Sequence, residues 1–197
     1  MKISLLKAHL FLFFTIYIFL NTGYSQQTKF VREKIEINLD SARFHINGDY
    51  FFKNTSTTPI KRNLFYPFPI DSCLTYPDPI NIFSVQKHEN ISFLRVKKGI
   101  FFSIEIPPQK TVLYKVFYSQ STVNNKAEYI LTTTKKWGKA LEKADFIIKI
   151  PSELELKFLS YDYDEIEKID EYLIYKIHKE NFMPQKNLIV EWGRREK

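Results

Sequence analysis

The residues of this 197-residue chain that could do acid–base or metal chemistry are few and scattered. Beyond the first 25 residues the histidines are His45, His88 and His178, each alone among polar neighbours. A zinc site needs about three or four converging ligands, and this spacing does not bring them together. The sequence contains no Gly-x-Ser-x-Gly, Walker, His-Glu-x-x-His or Cys-x-x-Cys motif. We therefore predict no catalytic residue, no metal site and no cofactor.

Two weaker candidates for chemistry are an acidic stretch and a single cysteine. In YDYDEIEKIDE at 161–171, Asp162 and Asp164 would share one strand face and could bind calcium loosely. The mid-loop glycine and closing glutamate of an EF-hand are missing, so a solvated strand and turn is favoured. Cys73 has no second cysteine to pair with inside the chain, and no basic residue adjoins it to activate its thiol.

The best candidate for a binding surface is the segment TTTKKWGKA at 132–140. Trp137 follows Lys135 and Lys136 and precedes Lys139, so a large amphipathic ring interrupts a basic loop. Aromatic residues exposed on loops often mark contact sites. The alternative is that the loop folds back and Trp137 caps one end of the core. We favour the cap for Trp137 itself and a binding role for the domain.

The N-terminal 25 residues have the layout of a secretory signal peptide. Lys2 and Lys7 precede an apolar run at 10–20, and Gly23 and Ser25 occupy the −3 and −1 positions of a cleavage site. The run is too short to span a bilayer, which takes about 20 apolar residues. We expect cleavage near Ser25, export to the periplasm, cell surface or medium, and no stable membrane span afterwards. The alternative is a segment that stays uncut as an anchor.

The charge distribution argues against nucleic acid as a partner. The formal net charge is +7, but the lysines are scattered along the chain rather than gathered in a run. Nucleic-acid-binding domains concentrate Lys and Arg on one face or element. The sequence therefore allows weak attraction to an anionic surface and does not indicate DNA or RNA binding.

Most of the sequence after the signal segment alternates apolar and polar residues with a period of two. The runs are IEINL, RFHINGDYFFK, TVLYKVFYS, DFIIKI and ELELKFL. Such alternation predicts strands with one buried face, and only KKWGKALEKAD at 135–145 has helical character. We therefore predict an all-β antiparallel β-sandwich, immunoglobulin-like or related, with at most one short helix. It would occupy 26–197 as a single domain or as two closely packed β subdomains.

Two prolines interrupt this pattern inside the aromatic segment LFYPFPI at 64–70. Pro67 and Pro69 lack an N–H, so we expect them outside a ladder that is hydrogen-bonded on both sides. Phe65 or Phe68 would then pack inward. The alternative is that the aromatic strip forms an exposed platform for a ligand.

The segment that contains these prolines, GDYFFKNTSTTPIKRNLFYPFPID, resembles the vault protein inter-alpha-trypsin domain. In that family a strand ending in Phe-x-Asn leads through a polar turn and a Pro to a Phe-Pro-hydrophobic motif. The matching residues are Phe52, Asn54, Pro59 and Phe68-Pro69-Ile70. A later segment is similar to uncharacterised secreted bacterial β-sandwich families in Tyr129, Leu131, Thr133 and Trp137-Gly138. The resemblance implies a β-sandwich for protein association or support, without catalytic residues. The metal-binding Asp-x-Ser-x-Ser of the von Willebrand A domain is not in this sequence.

These observations predict an exported, non-enzymatic β-sandwich that binds or supports another protein of the cell envelope. The alternative, from a different class, is a hydrolase or carbohydrate-binding module for envelope or dietary polysaccharide. A cleft that gathers two carboxylates, or a histidine with an acid, would favour the hydrolase.

Overall fold

The computed structural model describes residues 27–40 and 42–195 of the chain. The predicted signal peptide at 1–25 and its cleavage site near Ser25 lie outside these residues. Within the described ranges, no helix is long and apolar enough to cross a membrane.

Fourteen strands and one short 3-10 helix make up the regular structure of the described residues, which confirms the predicted all-β fold. The helix is Thr132–Trp137. The strands are β1 (Thr28–Leu39), β2 (Arg43–Asn54), β3 (Ile60–Pro67), β4 (Ile80–Ser84), β5 (Glu89–Asn90), β6 (Phe93–Val96), β7 (Gly99–Ile106), β8 (Thr111–Ser121), β9 (Lys126–Tyr129), β10 (Leu141–Pro151), β11 (Leu154–Leu159), β12 (Glu165–Ile169), β13 (Tyr172–Phe182) and β14 (Leu188–Arg194).

The strands form one large sheet and two small ones. The eight-stranded sheet has the order β12-β13-β10-β1-β2-β8-β4-β5, and the three-stranded sheets have the orders β11-β14-β9 and β3-β7-β6. Apolar residues from all three sheets meet in one hydrophobic cluster, so the small sheets cover the large one. Most pairs are antiparallel, but β1 and β10 run parallel from Arg32↔Lys143 to Asn38↔Lys149. Parallel strands need a long crossover connection. Side chains alternate in the same way in parallel and antiparallel strands, so the alternation does not predict this parallel pair.

The predicted alternation places the core on one face of the large sheet. In β1, Ile35, Ile37 and Leu39 are buried, and β2 continues the pattern with Phe44 and Ile46. Burying each such side chain contributes roughly 1.5–3 kcal/mol. The alternation therefore explains which face of β1 and β2 meets the small sheets.

Two sequence predictions about local structure need correction. Phe158 was expected on the buried face with Leu154, but it is exposed because the register of β11 shifts between Leu156 and Phe158. The one short helix, Thr132–Trp137, overlaps the segment 135–145 only at its start, since Gly138 adopts a left-handed conformation (φ 69°) and β10 follows. A glycine in this conformation is a common helix terminator.

The proline segment leaves the sheet at an edge. Strand β3 pairs on one side only, with β7, and Pro67 is its last residue. Phe68 is 2% exposed and packs inward, whereas Phe65 is 42% exposed. The buried amide of Gln120 donates to the carbonyl oxygen of Pro69 at 2.9 Å. This hydrogen bond ties the irregular segment to the large sheet.

Asn54 organises the turn that brings the chain from β2 to β3. Its buried side chain donates to the carbonyl oxygens of Thr58 (2.7 Å) and Ile106 (3.1 Å). Its Oδ1 accepts a hydrogen bond from the backbone N–H of Ser56 at 2.7 Å. Pro59 is exposed just before β3. The Asn of the Phe-x-Asn…Pro pattern therefore stabilises the turn, because its amide side chain makes hydrogen bonds to backbone groups there.

Candidate functional site

The Trp137 segment lies against the edge of the core. The Trp137 ring is half-buried, with its centroid 5.5 Å from that of Phe52 and 5.8 Å from that of Phe30. The guanidinium of Arg62, from β3, lies 4.6 Å from the centre of the indole. Such a stack of a cation on an aromatic face is favourable. Trp137 therefore packs as part of the core boundary.

The three lysines of this segment do not share the environment of Trp137. Lys135, Lys136 and Lys139 are all exposed. Lys135 donates through Nζ to Oε1 of Gln185 at 3.0 Å. The aromatic residue and the basic residues, which were predicted as one surface, thus face different surroundings.

A cavity lies beside Trp137, between β3 and the segment 130–137. Its volume is about 80 Å³, which is room for several water molecules or a small ligand. One side is formed by β3, from Leu64 to Pro67, and the other by Trp137 and its neighbours Thr133 and Thr134. Two motifs singled out in the sequence, the proline segment and the tryptophan segment, therefore meet at one site. The remaining walls come mainly from β1, β2 and β8.

Glu33 is the carboxylate of this cavity. It is 2% exposed and occupies a core-facing position of β1, two residues before Ile35. A β-bulge between Phe30 and Arg32 shifts the pairing with β2 just before it. A bulge redirects side chains locally and is common next to functional sites. Here a carboxyl group replaces an apolar side chain at a core-facing position of β1 that lines the cavity.

Three tyrosines, one from each sheet, surround the carboxyl group of Glu33. The hydroxyl of Tyr129, from β9, donates to Oε2 of Glu33 at 3.0 Å. The hydroxyl of Tyr50, from β2, lies 3.0 Å from that of Tyr129 and 2.7 Å from that of Tyr66, from β3. Gly48 makes room for this arrangement, because a Cβ there would collide with the Tyr50 ring. The polar cluster therefore depends on the packing of all three sheets.

Burial controls the protonation of Glu33. Removal from water raises the pKa of its carboxyl group to about 8, and the hydrogen bond from Tyr129 partly opposes this rise. Burial also raises the pKa values of Tyr50, Tyr66 and Tyr129 well above the ordinary value. The cluster is therefore mostly neutral at pH 7. One carboxyl oxygen, Oε1, has no hydrogen-bond partner within the described part of the chain.

Sequence reasoning missed Glu33, although a signal was present. The alternation of Leu39, Ile37 and Ile35, continued by one step toward the N-terminus, reaches Glu33 on the same face. A carboxylate at a core-facing position of a strand is costly to bury, so it marks a site. Tyr66 lies inside the proline segment, which was noted for other residues, and Tyr129 was noted only for a family resemblance.

The other candidates from the sequence lie elsewhere. Asp164 accepts a hydrogen bond from the backbone N–H of His178 at 2.6 Å, and Asp162 is exposed. The Nδ1 of His178 lies 2.7 Å from Oδ1 of Asp145, and this hydrogen bond raises the pKa of the imidazole. Cys73 is half-buried and unpaired. In the described ranges no three His, Cys, Asp or Glu side chains are grouped so that they could hold a metal ion.

Comparison with known proteins gives likeness in structure only. No family model and no curated protein matches the chain. A candidate nutrient-binding protein from Legionella pneumophila has a TM-score of 0.67 at 16% sequence identity, over 84% of this chain and 67% of that chain. A variant of the M1 zinc metallopeptidase from Deinococcus radiodurans, bound to a Tyr-Ser-Ala substrate, has a TM-score of 0.51 at 5% identity. That match covers 84% of this chain and 43% of the peptidase, so this chain spans less than half of the enzyme's length. At these identities the likeness shows a shared fold.

Proposed function

We propose that this chain is a non-enzymatic binding domain and that the cavity beside Trp137 is its ligand site. The observation that carries the proposal is Oε1 of Glu33, a buried oxygen that has no hydrogen-bond partner among the described residues and belongs to a side chain that lines the cavity. A buried polar atom that makes no hydrogen bond costs about 1–3 kcal/mol. A ligand that donates a hydrogen bond to this oxygen would remove that cost.

The composition of the cavity favours binding over hydrolysis. Among the described residues that line it, Glu33 is the only acid and none is a histidine. A glycosidase needs two carboxylates on opposite sides of the substrate, and a general base is usually paired with an orienting group. The lining of aromatic rings with a few polar groups is typical of small-molecule sites. The resemblance in fold to a candidate nutrient-binding protein agrees with this proposal.

The proposal includes export. The segment 1–25 has the pattern of a signal peptide, and cleavage near Ser25 would release a β-sandwich into the periplasm, onto the cell surface or into the medium. A binding domain in that compartment would meet nutrients and envelope components before they enter the cell.

A screen of small molecules by NMR tests the proposal, since the two indole N–H signals report on different places. We expect ligands to shift the signal of Trp137, which lines the cavity, and not that of Trp192, which is buried in β14. Thr133→Tyr should abolish these shifts by filling the cavity. The matched control is Lys136→Tyr, which adds the same side chain at an exposed position of the same helix. Equal binding to wild type and Thr133→Tyr would contradict the proposal.

A second candidate function is the one predicted from the sequence, binding of another envelope protein. The observation that favours it is an open depression of about 670 Å³ beside β5, β6 and β7. Phe101 and Leu94, which are paired across these strands, line it and are 45% and 65% exposed. Lys87 and Glu105 form an ion pair of 2.7 Å at the same surface. Exposed apolar residues with a polar rim are typical of protein contacts.

If the depression binds a protein, substitutions there should abolish protein binding without affecting ligand binding in the cavity. Replacing Leu94 and Phe101 together by Ser should abolish capture of a protein partner and leave the Trp137 indole shift by small ligands unchanged. The experiment compares wild type and the double variant by pull-down from envelope extract and by NMR. Binding of a soluble polysaccharide at this depression, in place of a protein, would favour the carbohydrate-binding alternative.

A further inference from the structure

The cavity combines one carboxyl group with an unusually aromatic lining. Nine of its sixteen lining residues are Phe, Tyr or Trp, and none of the described lining residues is Lys, Arg or His. The faces of aromatic rings carry partial negative charge and attract cations. The guanidinium of Arg62 already stacks on the Trp137 ring, so the other rings and Glu33 would supply most of the attraction for a second cation. The electrostatic character of the lining therefore favours a positively charged ligand.

We infer that the cavity binds a small alkylammonium ion whose N–H group donates to Oε1 of Glu33 and whose alkyl groups contact the aromatic rings. This inference rests on the proposed function, because it names the ligand class of the same site. The size of the cavity, about 80 Å³, restricts the ligand to a compact cation with short alkyl groups. Cages of aromatic rings are a known means of recognising such ions.

Other ligand classes fit the site less well. An anion would meet the negative faces of the rings and, once Glu33 ionises, a carboxylate. A neutral alcohol could donate to Oε1, but it would bring no charge to compensate an ionised Glu33. An ammonium ion supplies both the donor and the charge, so it makes the strongest interaction with this carboxyl group.

Binding of the cation should change the protonation of Glu33. The empty site holds a neutral acid, since burial raises its pKa to about 8. The ammonium ion keeps its own protons, and the carboxyl proton leaves to solvent as the ion pair forms. Four tyrosines of the described residues interact electrostatically with Glu33: Tyr50, Tyr66, Tyr129 and Tyr161. Burial raises the pKa of each, so all four stay neutral over the relevant pH range.

Because binding of the cation releases a proton, the affinity for the cation should depend on pH. Below pH 8 the ligand must displace a proton, so its affinity should rise about tenfold for each unit of pH between 5 and 7 and level off above 8. At pH 6 binding should release about one proton for each ligand bound. A neutral ligand should show neither effect.

The test is calorimetry and NMR titration of the purified protein with trimethylammonium, which carries one N–H and three methyl groups. The neutral comparison is tert-butyl alcohol, which is of similar size and shape. We expect trimethylammonium to bind at least tenfold more tightly than the alcohol at pH 7.5, with the pH dependence and proton release given above. Glu33→Gln should lose this preference. The control is Glu36→Gln, on the same strand, where Glu36 pairs with Lys149 on the large sheet.

The outcomes separate the inference from the proposed function. If the alcohol binds in the cavity as tightly as trimethylammonium, or if binding of the cation releases no proton at pH 6, the cation inference is wrong and the cavity is still a ligand site. If neither compound nor any small molecule of the NMR screen shifts the Trp137 indole, both are wrong. Proton release is measured on the wild-type protein, so the result does not depend on the folding of a variant.

Discussion

The wild-type protein should lose stability relative to Glu33→Gln as the pH rises from about 4.5 to about 8. In the unfolded chain Glu33 ionises with its ordinary pKa of 4.5, whereas in the folded protein the pKa is about 8. Between these values the folded state holds a proton that the unfolded state has released, so raising the pH favours unfolding. The full difference is on the order of 5 kcal/mol. The stabilisation is complete below pH 4.5, decreases as the pH rises toward 8, and is fully lost above about pH 8.

Urea unfolding at pH 5 and pH 9 measures this difference. The free energy of unfolding of Glu33→Gln, less that of wild type, should increase by several kcal/mol between the two pH values. Other groups with shifted pKa values, such as Glu105 and His178, are common to both proteins and cancel in the comparison. Glu36→Gln should follow the wild type. Parallel pH profiles of wild type and Glu33→Gln would show that Glu33 is solvated in the folded protein.

Phe68→Ala should lower the free energy of unfolding by about 3 to 5 kcal/mol. The Phe68 ring is 2% exposed and makes edge contacts with Tyr118 at 5.0 Å and Tyr76 at 5.6 Å between ring centroids. Its removal would leave a void beneath the proline segment, where the backbone N–H of Phe68 donates to the carbonyl oxygen of Lys98 and the Gln120 amide donates to that of Pro69. Chemical unfolding at one pH gives the value directly.

The matched control for Phe68 is Phe65, three residues earlier on β3. Phe65 is 42% exposed and contacts Phe101 on the outer face of the small sheet. Phe65→Ala should cost less than about 1 kcal/mol, as is usual for exposed cross-strand pairs. If Phe68→Ala also cost less than about 1 kcal/mol, the aromatic segment would be an exposed platform and Phe68 would not be a core residue.

The fold was largely predictable because one physical rule governs most of the chain. A strand buried on one face must alternate, so Ile35, Ile37 and Leu39 could be assigned to the core from sequence alone. The parallel pairing of β1 with β10 could not, because alternation is the same for parallel and antiparallel neighbours. The outward position of Phe158 depends on a register shift in β11 that leaves no mark in the pattern.

The site was less predictable than the fold. Trp137 and Pro67 were noted separately, and their meeting at one cavity depends on how β3 packs beside the 3-10 helix. Glu33 could have been found by extending the alternation of β1, but the tyrosines come from three different sheets. No spacing in the sequence relates Tyr50, Tyr66 and Tyr129. A polar cluster of this kind is a property of tertiary packing.

The most direct measurement is an NMR titration of the Glu33 carboxyl carbon, with and without trimethylammonium, assigned by comparison with Glu33→Gln. Our account predicts a midpoint of about 8 for the free protein. With saturating trimethylammonium, the midpoint should fall to about 5 or below, by about three pH units, which corresponds to a thousandfold preference for the ionised form. A midpoint near the ordinary value of 4.5 in the free protein, or one that does not move when trimethylammonium is added, would contradict it.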